Sequence, residues 1–154
     1  MENLYMPIYR AKKINSNEYV EGYYFPQEWI GEYPNENAEE REEKLKHFIN
    51  TGTTHDVYDD EEGFFQFMGI DEIDPTTLAI SFPNMLDKNK NPIFASLRED
   101  GKGGDVVTMD GLKKYIVKIC GEEGIFNIVS FDNGSGGILT IPYAKNFKVI
   151  RIQK

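Results

Sequence analysis

Short apolar runs crowd the last third of the chain: Asp105–Val107, Tyr115–Ile119, Ile125–Phe131, Ile138–Ile141 and Phe147–Ile152. Gly-rich segments separate several of them, from Gly121 to Gly124 and from Asp132 to Gly137. Brief runs rich in Val, Ile and Phe, punctuated by glycine, read as antiparallel strands joined by turns. The expectation is a mainly β (α+β) fold that ends in a small antiparallel barrel, SH3-like or related.

Upstream, Ile8–Lys13 and Tyr19–Phe25 flank the polar Ile14–Glu18, which predicts a hairpin whose second strand stops at Pro26. Residues 27–34 show no clear period. From Asn37 to Asn50 the composition turns to Ala, Glu, Lys, Leu and Arg, good helix formers, with Asn37 placed as an N-cap and Thr51-Gly52 as a stop. Glu39 and Glu40 lie in its first turn and Lys44 and Lys46 in later ones, so the charge order suits the helix dipole. Glu40 with Lys44 and Glu42 with Lys46 are i,i+4 pairs. Its apolar stripe is thin: Leu45, Phe48 and Ile49, with Ala38.

Thr53–Gly63 reads as a loop and Phe64–Met68 as a buried strand. Asp74-Pro75 marks a turn before the alternating Leu78, Ile80 and Phe82. Asp87–Pro92 is a second turn leading into Ile93-Phe94, and Arg98–Gly104 a flexible polar loop. One domain is expected over 1–154, with a hairpin region at 1–36, an acidic helix and loop at 37–63, and a mostly β region at 64–154.

In this order of elements, Tyr9–Lys13 with Glu18–Tyr23, Ile73–Leu78, and Leu86–Asn89 with Ile93-Phe94 and Gly104–Val107 together resemble the YopX family of bacteriophage and prophage proteins. Tyr9-Arg10-Ala11-Lys12-Lys13 with Glu18–Tyr23 is similar to that family's opening hairpin. Ile73-Asp74-Pro75-Thr76-Thr77-Leu78 is similar to its Asp-Pro-x-Thr turn. Leu86–Asn89 with Ile93-Phe94, and Gly104-Asp105-Val106-Val107, are similar to a further turn and to the start of its C-terminal barrel. Ala79 stands where the family has Gly, Lys90-Asn91-Pro92 where it has Gly-Lys-x, and 95–103 resembles an insertion. The resemblance implies a phage or prophage origin, a mostly β fold and self-association. It supplies no catalytic residues.

The reactive constellations are weak. Asp87, Asn89 and Asn91 have the first spacing of a calcium loop, but Pro92 stands where the turn needs Gly and Arg98 where the bidentate Glu belongs. His55 with Asp56, Asp59, Asp60, Glu61 and Glu62 offers hard ligands without rigid spacing. Cys120 with His47 or His55 has the residue types of thiol catalysis, yet Cys120 adjoins a strand rather than a helix N-terminus. Gly101, Gly103 and Gly104 fit no phosphate-loop pattern and suggest a loose loop. One Cys and two His cannot make a Cys/His zinc site of the usual four-ligand kind. No catalytic residue, cofactor or metal is therefore expected, and the protein is read as a non-enzyme.

Charge is unevenly placed. The 14 acids between Glu32 and Asp74 face only Arg41, Lys44 and Lys46, a net of −11, leaving +2 of the total −9 elsewhere. The excess of acid argues against generic attraction to nucleic acid, so no direct nucleic-acid partner is expected. It reads either as a solvated face that keeps the chain soluble or, more sharply, as a surface of Glu39, Glu43, Asp59, Asp60, Glu61 and Glu62 for a basic partner, including an enzyme that normally grips nucleic acid. Aromatics make up 13% of the chain, and outward ones in the hairpin would mark protein contact, most simply between copies. No apolar run nears the roughly 20 residues that span a bilayer, and the start lacks signal-peptide features. The expected setting is the bacterial cytoplasm, away from membranes. The expected partners are further copies of the chain and a host protein.

Overall fold

The computed structural model describes residues 6–27, 46–59, 63–120 and 124–154, with the backbone only at 27, 53–59, 63–68 and 120. β1 (Ile8–Lys13) and β2 (Tyr19–Gln27) form the expected hairpin, with Tyr9 opposite Gly22 and Lys12 opposite Tyr19. The Lys13 amide donates to the Glu18 carbonyl at 2.9 Å and closes it. β2 runs one residue past Pro26 because its far end changes partner, pairing with β3 (Lys46–Asp59) so that Pro26 lies opposite His47.

β3 corrects two expectations. Lys46–Asn50, read as the end of a helix, are strand; residues 37–45 lie outside the described residues. Here Ile49 is buried, packing with Tyr24, while Phe48 stacks on Phe25 at 5.6 Å. β3 is bonded on both sides, to β2 and to β4, and two strand neighbours outweigh the few tenths of a kcal/mol per residue of local helix preference. Likewise Thr53–Asp59, read as loop, continue β3 and pair with β4 (Gly63–Ser81), His55 opposite Phe67 and Asp59 opposite Gly63. The β-branched Thr53, Thr54 and Val57 suit that role.

β4 pairs with β3 over its first half and with β1 over its second. The pairings β1–β2–β3–β4–β1 thus close on themselves. The turn expected at Asp74-Pro75 is a bulge inside this strand. Thr76 donates to the Asp74 carboxylate through its amide (2.9 Å) and hydroxyl (2.6 Å), and Thr77 Oγ1 donates to the Asp74 carbonyl while accepting the Lys12 amide. Leu78 and Ile80 do not alternate with exposed neighbours, since Ala79 and Ser81 are buried too. The end of β4 is covered on both faces.

The chain continues through β5 (Ala95–Ser96), β6 (Asp105–Thr108), β7 (Tyr115–Cys120), β8 (Ile125–Ser130), β9 (Gly136–Ile138), the short helix α1 (Ile141–Ala144) and β10 (Lys148–Ile152). Sheet order runs β4-β5-β7-β6-β10, with β8 and β9 added on the other side of β7. Ile141, read as strand, opens α1: Thr140 is its N-cap and Pro142, which cannot donate to a ladder, sits in the first turn. The larger core lies between these strands around Val117, Phe126, Ile128 and Phe147, and a smaller one inside β1–β4 around Ala11, Ile49 and Ile73. Tyr9 packs against both. The described residues are mainly strand.

Candidate functional site

The residue groups set apart along the sequence at Arg10, Thr77, Phe94 and Gly103–Asp105 meet in one buried cluster. Arg10, on β1, donates through Nη2 to Asp105 Oδ1 at 2.7 Å and to the Gly103 carbonyl at 3.0 Å. Both side chains are enclosed, 8% and 0% exposed. The other Asp105 oxygen accepts the Phe94 amide at 2.8 Å, and the guanidinium lies 4.4 Å over the Phe94 ring. Burial pushes the Asp105 carboxyl up, while Arg10 and the Phe94 amide hold it back. Arg10 Nε has no acceptor among the described residues. The cluster ties the first hairpin to the C-terminal strands and is closed to solvent.

The expected loose loop is tied to it. Gly101, Gly103 and Gly104 are buried. The Gly103 amide donates to the Gln153 carbonyl (2.8 Å), and the Ser96 hydroxyl to the Lys102 carbonyl (2.6 Å). Arg98–Asp100 stay exposed. Glycine lets the backbone come this close, a signal present in the sequence but open to the opposite reading.

Asp87 has a similar holding role. It is 2% exposed, accepts the amides of Asn89 and Asn91 at 2.8 and 2.9 Å, and reaches across to the Val149 amide on β10 at 3.1 Å. Its carboxylate closes the turn expected at Asp87–Pro92. Burial would raise its pKa, but these amides and the Asn91 side chain outweigh burial and hold it below the usual carboxylate range. A depressed folded pKa stabilises above the unfolded value of about 4, and that contribution disappears as pH falls through the folded one. Asp87→Asn is expected to cost about 2 kcal/mol at neutral pH and to flatten the loss of stability below about pH 4, read from urea midpoints across pH.

Of the residues proposed for an acidic partner surface, Glu39, Glu43, Asp60, Glu61 and Glu62 lie outside the described residues, and Asp59 closes β3 with only its backbone described. Among the fully described acids of that segment, Asp71 meets Lys13 (3.5 Å), Glu72 meets Lys46 (3.3 Å) and Asp74 holds its own bulge. Cys120 ends β7 and His47 and His55 lie on β3, and these two strands are not paired with each other. His47 Nδ1 shares a hydrogen bond with the Tyr24 hydroxyl at 2.6 Å. No group of three or more metal-competent side chains occurs among the described residues. No described helix is long and apolar enough to cross a membrane.

The surface feature that stands out is apolar. Register places Tyr23 (β2), Asn50 (β3) and Ile70 (β4) side by side on the face opposite Tyr24 and Ile49. Tyr23 is 51% exposed and Ile70 47%. The Phe25–Phe48 stack lies two residues along the same face. Alternation leaves some of the hairpin aromatics outward without saying which, Phe48 is read as part of a helix stripe, and Ile70 joins this face only through strand pairing. Compared with protein-family models, curated proteins and solved structures, the chain matches none.

Proposed function

We propose that the protein is a non-enzymatic, self-associating protein-binding module, a phage or prophage accessory factor of the YopX type acting in the bacterial cytoplasm on a host factor or on phage regulation. The observation that carries this reading is the outward Tyr23–Ile70 face with its Phe25–Phe48 stack. Neighbouring aromatic and aliphatic side chains on an open sheet face gain by burial against another protein, and aromatics are enriched at such interfaces. The reading includes an SH3-like barrel for the C-terminal strands. Its support is the single core shared by β6, β7, β8 and β10 around Val107, Val117, Phe126 and Val149.

The test is light scattering on the purified chain. A discrete oligomer is expected, and Tyr23→Lys with Ile70→Lys should shift it to monomer while the circular dichroism spectrum stays unchanged. A wild-type chain that is monomeric throughout would remove self-association from the reading. An oligomer indifferent to both substitutions would move the contact elsewhere.

A further inference from the structure

The outer face of the C-terminal sheet differs in character: its middle is closed, with Val106 and Thr108 0% and 4% exposed, and its rim is open at Lys114, Phe131, Lys148 and Arg151. Val107, Tyr115, Val117, Ile128 and Val149 point into or against the larger core, so the residues between them point out. Register then lines up two rows on the outer face. One holds Lys148, Thr108, Lys114 and Phe131: Lys148 pairs with Thr108, and the Phe131 amide donates to the Lys114 carbonyl at 3.2 Å. The next holds Arg151, Val106, Ile116 and Val129. Arg151 reaches this face because β10 shifts register between Val149 and Arg151; without the extra residue it would turn inward.

The rows contain three exposed cations and no carboxylate. Among the described residues Lys114, Lys148 and Arg151 make no ion pair, and Arg151 lies 5.7 Å over the ring of Phe131, which is 43% exposed. The flanking acids are Asp132, Asp110, which accepts the amides of Leu112 and Lys113, and, on the loop whose Gly101 lies against Ile116, Glu99 and Asp100, the latter paired with Arg98. At about 0.1 M salt, exposed charges more than about 10 Å apart are largely screened, so a face attracts according to its own sign rather than the total of −9.

We propose that this face binds single-stranded nucleic acid. Phosphates would meet Lys114, Lys148 and Arg151, and an unstacked base would lie on Phe131, on a π-face that paired bases in a duplex do not offer. An acidic segment of a second copy would satisfy the cations but make no use of the ring. The proposal goes beyond the self-association reading and does not depend on it.

The test is fluorescence anisotropy with labelled oligo-dT and oligo-U of about 15 nucleotides and a duplex of equal length, at salt from about 50 to about 200 mM. Binding to single strands over duplex is expected, with a log-log salt slope near −2 for about three phosphate contacts. Lys114→Gln should make that slope shallower by about 0.7, and Phe131→Ala should weaken binding at least about fivefold with the slope kept. The DNA and RNA probes show which strand is preferred. Circular dichroism checks each variant, and the exposed Lys114 keeps the test valid if Phe131→Ala misfolds. Absence of single-strand binding at the lowest salt overturns the proposal. So does binding indifferent to both substitutions, or an oligomer that Lys114→Gln and Arg151→Gln dissolve while no oligonucleotide binds, which would make the face a contact between copies.

Discussion

Asp105→Ala is expected to lower the unfolding free energy by about 3–5 kcal/mol, the cost of leaving one member of a buried ion pair uncompensated. The change strands the Arg10 guanidinium at 8% exposure and orphans the Phe94 amide that now donates to Asp105. The Gly103 carbonyl, the Phe94 ring at 4.4 Å and the Tyr19 ring at 5.9 Å still face Arg10, but none of them carries a countercharge. Arg10→Met should cost a similar amount by stranding the carboxylate. Combining Arg10→Met with Asp105→Leu should cost clearly less than the sum, because no buried charge is then left over. Urea unfolding of the four proteins measures the coupling. Additive losses would mean that the pair does not act as a unit in the folded protein.

Gly103→Ala is the second large effect, on the order of 4 kcal/mol, combining a left-handed backbone with overpacking against main chain. Gly103 has φ +83°, and a Cβ there would collide with the Thr77 carbonyl, part of the β4 backbone rather than a side chain able to turn away. Gly111, at φ +80°, has nothing near its missing Cβ, so Gly111→Ala serves as the control for the backbone conformation alone. Thermal unfolding should show Gly103→Ala far below wild type and Gly111→Ala lowered only modestly. Equal losses would assign the effect to φ and not to the close approach. The variant also tests whether 97–104 is held by the fold, as the Gly103–Gln153 and Ser96–Lys102 hydrogen bonds require.

By itself the sequence determined the strand-rich class, the first hairpin, the turn at Asp87–Pro92 and the C-terminal runs. These depend on properties a residue carries with it: branching at Cβ, the freedom of glycine, the fixed φ of proline, and the reach of a short carboxylate to the next amides. Helix preference is equally local, and it misread Lys46–Asn50 because β2 and β4 supply hydrogen bonds from outside the segment. Local polarity misread 53–59 and the glycines at 101–104 for the same reason: their partners are β4, Thr77, Ser96 and Gln153, distant in sequence. Tertiary structure alone brought Arg10 to Asp105, set Ile70 on the same face as Tyr23 across Asn50, and turned Arg151 onto the outer face through a one-residue slip in β10. Each is decided by strand register, which depends on how two segments bury their side chains together.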